Sequence, residues 1–149
     1  MGYGARNVRQ HDLRSVPDLC IRFAAYMETP LSLADLLAAL AEPTRLRIVN
    51  CLAIAPLFVS DLQAILDIPQ PTVSRHLKVL RTAELVRDTP IAQFVLYRLR
   101  RPPDAHGRLL AAALDAANLD PALRAERQQA LERSRRTTQA RTESGARTA

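Results

Sequence analysis

Aromatic side chains are scarce in this chain: they make up 4% of it, and tryptophan is absent. Proteins that grip single-stranded nucleic acid need several aromatics on which bases stack, so that mode of binding is excluded. Cysteine is rarer still, at two residues, Cys20 and Cys51. Two cysteines make no disulfide framework, and a reducing cytoplasm is the expected setting. No apolar run approaches the roughly 20 residues that cross a bilayer. The longest, from Leu33 to Ala41, is interrupted by Asp35. Near the start, Arg6, Arg9, Asp12 and Arg14 leave no apolar core for a secretory signal, so neither a membrane partner nor export is expected. Three histidines and two scattered cysteines supply no triad, phosphate loop or metal cluster. An enzyme is therefore not expected, and no cofactor is called for.

What remains is a basic chain of 149 residues with a formal net charge of +6. That length suits one domain with appendages, and the charge favours a polyanionic partner. Lys78 is the only lysine, so arginine supplies the positive charge. Residues 1–16 are polar and read as a flexible arm. A helix is expected over 17–28, with Leu19, Phe23, Tyr26 and Met27 on one face. A second covers 31–41, where Leu33, Leu36, Leu37 and Leu40 are apolar. Pro43 opens a third over 43–53, which turns Leu46, Val49, Leu52 and Ala53 inward. A short strand is expected at Phe58-Val59, and Ser60 is placed to cap a helix over 61–66. Asp67-Ile68-Pro69 turns the chain into a further helix.

That helix, 69–83, is the most informative segment. Val73, Leu77 and Leu80 form one apolar stripe at i, i+4, i+7 spacing. Arg75, Lys78 and Thr82 face the other way, flanked by Thr72 and Ser74. Residues 60–83 are thus helix, tight turn, helix. Such a rod fits the major groove of double-stranded DNA, and phosphates reward its cations. Gln70, Thr72 and Ser74 lie at its start, where base edges are reached. Gln pairs with adenine and Arg75 with guanine, whereas Lys78 and Arg81 suit phosphates. His76 lies beside the apolar stripe and reads as a packing residue. Two strands follow, Leu85–Asp88 and Gln93–Leu99, joined by Thr89-Pro90-Ile91-Ala92. Residues 69–101 hold seven Arg or Lys and two acids. Asp104 caps a helix to about Asn118, and Asp120-Pro121 starts another to about Arg136. Residues 137–149 have the composition of a disordered basic tail.

Residues 33–100 resemble the ArsR/SmtB family of winged-helix repressors. The resemblance rests on Leu-Ala-Glu-Pro-Thr-Arg-Leu-Arg-Ile-Val (40–49), Val-Ser-Asp-Leu (59–62), Gln-Pro-Thr-Val-Ser-Arg-His-Leu-Lys-Val-Leu (70–80) and Phe-Val-Leu-Tyr-Arg-Leu (94–99). It implies a mainly α fold with a small β-hairpin: a winged helix-turn-helix with extra N- and C-terminal helices for dimerisation. The winged domain would cover 17–118, followed by a C-terminal helix over 119–136 and the tail. The implied function is a homodimeric repressor that binds an inverted-repeat operator and is released by an inducer. The alternative is a winged-helix module for protein contact that has lost DNA binding. Three departures stand out. Asp67 occupies a turn position where the family commonly has Gly. Pro69 replaces a capping Ser. The joint between the strands has no basic residue, which leaves Arg87 and Gln93, expected at the base of the wing, as its DNA contacts.

Three places for inducer sensing follow from the resemblance. The family's thiol box, Glu-Leu-Cys-Val-Cys-Asp-Leu, falls on Pro56–Leu62, where Phe58 and Ser60 replace both thiols. Soft metals need thiolates, so this site is absent. The post-wing zinc pattern keeps Asp104 and His106, but Ala117 replaces its second His and Asp120 its Glu. The set is poor for zinc, and Asp104 and Asp120 have plain work as helix caps. The third is a thiol pair. Cys51 falls toward the polar side of its helix near Arg47, where exposure and a lowered pKa would make it reactive. Cys20 lies at the edge of an apolar face. Ordinary packing is the competing reading for both.

Overall fold

The computed structural model describes the backbone of residues 32–146 and the side chains of 32–137. The expected arm, the helix over 17–28 and Cys20 lie outside these residues. Helix α1 spans Leu33–Leu40, and Ser32 caps it by accepting the Asp35 N–H at 3.1 Å. Leu36 and Leu40 are buried, whereas Leu33 and Leu37 are 54% and 49% exposed. Helix α2, Pro43–Ile54, starts at Glu42, whose carboxylate accepts the Arg45 N–H at 2.8 Å. Arg45 reaches back to the carbonyls of Ala39 (2.6 Å) and Ala38 (2.8 Å), satisfying acceptors that the end of α1 leaves open.

Strand β1 is Leu57–Phe58, and α3 follows at once as Val59–Leu66. The helix thus begins earlier than Ser60 would have capped it. Ser60 is exposed within the first turn, and the Phe58 N–H donates to Asp61 at 3.2 Å instead. Asp67 ends α3 in the left-handed conformation, φ 53 and ψ 48, so aspartate does the work of a turn glycine. Helix α4, Gln70–Thr82, has no side-chain cap; the Pro69 carbonyl accepts from Thr72 and Val73. At its far end Glu84 is also left-handed, at φ 53. The Leu85 N–H bonds the Leu80 carbonyl and the Glu84 N–H that of Arg81, a Schellman closure over two fully buried leucines.

Strands β2 (Val86–Ile91) and β3 (Phe94–Leu99) form the hairpin, and β1 pairs on the other side of β3, all antiparallel. The expected four-residue joint is shorter. Ile91 pairs with Phe94, so Thr89, Pro90 and Ile91 belong to β2 and only Ala92-Gln93 turn the chain. Pro90 is accommodated because β2 is an edge strand.

Helix α5, Ala105–Ala117, is capped by Asp104. It helps close the core of its own chain: Leu110, Leu114 and Ala117 are buried. Helix α6, Pro121–Ala146, outruns its expected end near Arg136, because no proline or glycine interrupts it before Gly145. It lies against α2, α3 and β1. Ala130 is fully buried there, the Asn50 side-chain amide donates to the Leu123 carbonyl (2.8 Å), and Arg47 grips Glu126 (2.5 Å). The result is a mainly helical winged helix-turn-helix with a three-stranded sheet.

Candidate nucleic-acid interface

The second helix of the helix-turn-helix is seated by its own sequence pattern. Val73, Leu77 and Leu80 are 0–1% exposed and fix the rotation of α4 on the core. That rotation turns Gln70, Ser74, Arg75, Lys78 and Arg81 to solvent, with Thr72 half-buried. The Thr82 hydroxyl donates to the Lys78 carbonyl at 3.1 Å, so it folds back on the helix. His76 packs at the helix boundary, its Nδ1 3.4 Å from Glu42 Oε2. Burial pushes the Glu42 carboxyl up, but the Arg45 and Thr44 amides, the Thr44 hydroxyl and the facing imidazole together hold it below its ordinary pKa.

The charges of this region divide into two groups. Arg81 lies 3.0 Å from Asp88 and ties α4 to β2. Arg100 is paired with Glu84, and Arg101 donates to the Ala53 carbonyl at 2.7 Å. Arg75, Lys78, Arg87 and Arg98 have no hydrogen bond or ion pair among the described residues. Arg87 and Arg98 stand directly opposite each other on β2 and β3, so both guanidinium stems leave the same face of the hairpin. Like charges set opposite one another cost stability unless an anion lies between or above them. Arg98 was not among the residues read from the sequence. The alternation of Val95, Tyr97 and Leu99 already placed it on the other face of its strand, and that was the available signal.

Gln93 lies in the two-residue turn at the tip of the wing, so its expected place at the base is corrected; Arg87 does lie near the base. The tip is apolar. Phe94 is 51% exposed and meets Phe58 edge-on at 5.9 Å.

The profile described as "Bacterial regulatory protein, arsR family" matches residues 42–88, from the cap of α2 into β2. The transcriptional repressor SdpR of Bacillus subtilis is 33% identical over 61 residues, which cover 41% of this chain and 68% of that one. The chain belongs to the arsR family. The transcriptional regulator Rv2034 of Mycobacterium tuberculosis is 49% identical over 61 residues, 41% of this chain and 57% of that one. A crystal structure of the transcriptional repressor BigR from Xylella fastidiosa aligns with a TM-score of 0.48 at 29% identity, covering 67% of this chain and 93% of that one. The chain spans a little over half the length of several curated relatives it matches.

The positions considered for sensing are less favourable in this arsR-family chain than its sequence allowed. Cys51 is buried, contrary to the exposed position expected on the polar side of α2, because α6 covers that side. Burial and then the Glu126 carboxylate push its thiol up to about 12, and Arg47, engaged with Glu126, only partly opposes this. A reactive thiol needs access and a lowered pKa; Cys51 has neither. Asp104 accepts the His106 and Gly107 amides at 2.9 and 3.4 Å, and His106 Nδ1 sits 3.2 Å from its second oxygen. The His106 side chain and these amides hold the Asp104 carboxyl below its ordinary value. Asp120 accepts the Ala122 amide at 2.8 Å. Both aspartates therefore cap helices, and no group of three or more His, Cys, Asp or Glu able to hold a metal occurs among the described residues.

Proposed function

We propose that this chain is a sequence-specific, double-stranded DNA-binding transcriptional regulator that acts as a repressor in the cytoplasm. The observation that carries this reading is the pair Arg75 and Lys78. Both are exposed and without internal partners on a helix whose opposite side is locked into the core. In this reading the first turns of α4 enter the major groove, with Gln70, Thr72, Ser74 and Arg75 at base edges. Lys78, Arg87 and Arg98 meet phosphates, while Arg81 holds helix and wing together through Asp88. Two copies reading an inverted repeat give the operator its symmetry. Leu33 and Leu37, exposed on α1, support such pairing. An inducer releases the dimer. Among the described residues, no helix is long and apolar enough to cross a membrane.

The test uses the full chain and a pool of random duplexes. Selection is expected to enrich a symmetric site, bound with an affinity that falls steeply with salt. Lys78→Ala is expected to reduce the salt slope by about one without changing base preference. Failure to enrich any duplex, or binding indifferent to salt, would overturn the reading in favour of a protein-contact module.

A further inference from the structure

Helix α6 runs antiparallel to α3. Near the start of α6, Arg47 donates both to Glu126 and to the Leu66 carbonyl at the end of α3. Further along, Arg133 lies 3.9 Å from Asp61 in the first turn of α3. Asp61 also accepts the Phe58 N–H at 3.2 Å, and the Phe58 ring meets Phe94 at the tip of the wing. A continuous line of contacts thus leads from α6 through Asp61 and Phe58 to the wing tip. Helix α3 begins only at Val59, and α6 continues from Arg133 to Ala146, roughly 20 Å at 1.5 Å per residue. The end of α6 therefore runs on past α3 at the edge of the domain that carries the wing tip.

The wing tip and the end of α6 differ in charge. Residues 88–97 hold no Arg or Lys, whereas residues 133–146 hold four arginines and one glutamate. Arg133 is engaged with Asp61. Arg135 and Arg136 are exposed and have no hydrogen bond or ion pair among the described residues. Residues three apart on a helix are neighbours, so Arg136 shares a side with Arg133. Guanidinium groups that no acid of their own chain neutralises complement phosphate, which they bind bidentately. We propose that the end of α6 is a phosphate-binding arm: Arg135 and Arg136 hold the backbone of duplex DNA beside the wing while α4 lies in the major groove. The inference rests on the DNA-binding reading above, and in it the arm supplies the cations that the wing tip lacks. The pairs Arg133–Asp61 and Arg47–Glu126 keep the arm in place. Phosphate contacts carry no base information, so the arm strengthens binding to every duplex alike.

The test compares the full-length wild type with Arg135→Gln/Arg136→Gln by fluorescence anisotropy at several salt concentrations. Two duplexes are used, the one enriched from the random pool and a scrambled one of equal length. Both arginines are exposed and unpaired, so the variant keeps its fold, as circular dichroism would report. It is expected to bind both duplexes about tenfold more weakly and to lower the salt slope by about two for each bound protomer. Arg108→Gln/Arg124→Gln removes the same charge from exposed positions on α5 and at the start of α6, and is expected to change binding far less. Unchanged binding by the arm variant would overturn the proposal. So would a loss confined to the enriched duplex, or an equal loss in the control pair. A change of oligomeric state in sedimentation would assign the two arginines to a second copy of the chain and overturn it as well. If the wild type binds neither duplex, the DNA-binding reading falls and the arm with it; if the wild type binds and the arm variant matches it, the arm alone falls.

Discussion

A thiol pressed into a protein interior beside a carboxylate keeps its proton. Cys51 is in this position, with its pKa pushed up to about 12 by burial and by Glu126. The unfolded thiol titrates near its ordinary value of 9.0. The folded form is the one with the raised pKa, so the stabilisation is complete below about pH 9 and is lost as pH rises toward 12. Urea unfolding of the wild type and Cys51→Ala should therefore converge as pH rises above 9. A constant gap between them would mean the thiol titrates alike in both states. The same chemistry predicts that, in a Cys20→Ser background, a thiol reagent modifies Cys51 only as fast as the protein unfolds. Glu42 has the opposite sign. Its lowered carboxyl contributes stability at neutral pH that is lost as pH falls through its folded pKa.

Single elements differ in how much of them could be read from sequence. Helix α4 was legible almost to the residue, because Val73, Leu77 and Leu80 repeat with the helical period and nothing competes with them. The turn before it was legible too, since Asp67 tolerates a left-handed backbone. The wing was not. Thr89-Pro90-Ile91-Ala92 has the composition of a loop, yet cross-strand pairing with Phe94–Leu96 carries β2 through to Ile91. The turn is then left to Ala92 and Gln93, and Ala92 takes φ 53, which alanine adopts reluctantly. An L-residue with a Cβ spends about 1–2 kcal/mol in that region, and the greater freedom of glycine when unfolded offsets part of the gain. Ala92→Gly is therefore expected to stabilise the protein by up to about 1 kcal/mol in urea unfolding. A destabilised variant would show that the turn is not strained.

Over the whole molecule, the part sequence could not disclose was what α6 does. The sequence predicts a helix from Asp120-Pro121 to about Arg136, and the residues that tether it lie 79 and 73 positions away, at Arg47 and Asn50. No local periodicity encodes such a pairing. Its docking explains why Cys51 is buried and why Arg47 is not available to activate it. Glu126 is 13% exposed and Arg47 31%, so the pair stands between two limits. Removing one partner of an exposed pair costs up to about 1 kcal/mol, and of a buried pair ~3–5 kcal/mol. Glu126→Ala is expected to cost about 2 kcal/mol in urea unfolding; no change would mean that α6 docks without this contact. The surface of α4 and the wing proposed to face DNA is more local, because its residues all lie within residues 70–98. The position of Gln93 and the pairing of Arg98 with Arg87 needed the register of the hairpin.

In the proposed function, α4 reads bases through Arg75. The most direct measurement compares wild type and Arg75→Ala, by fluorescence anisotropy, on the duplex enriched from the random pool and on a scrambled duplex of equal length. Arg75→Ala is expected to weaken binding to the enriched site by ~1–3 kcal/mol while leaving the scrambled duplex nearly unchanged. An equal loss on both duplexes would contradict the account, since Arg75 would then be touching phosphate rather than sequence.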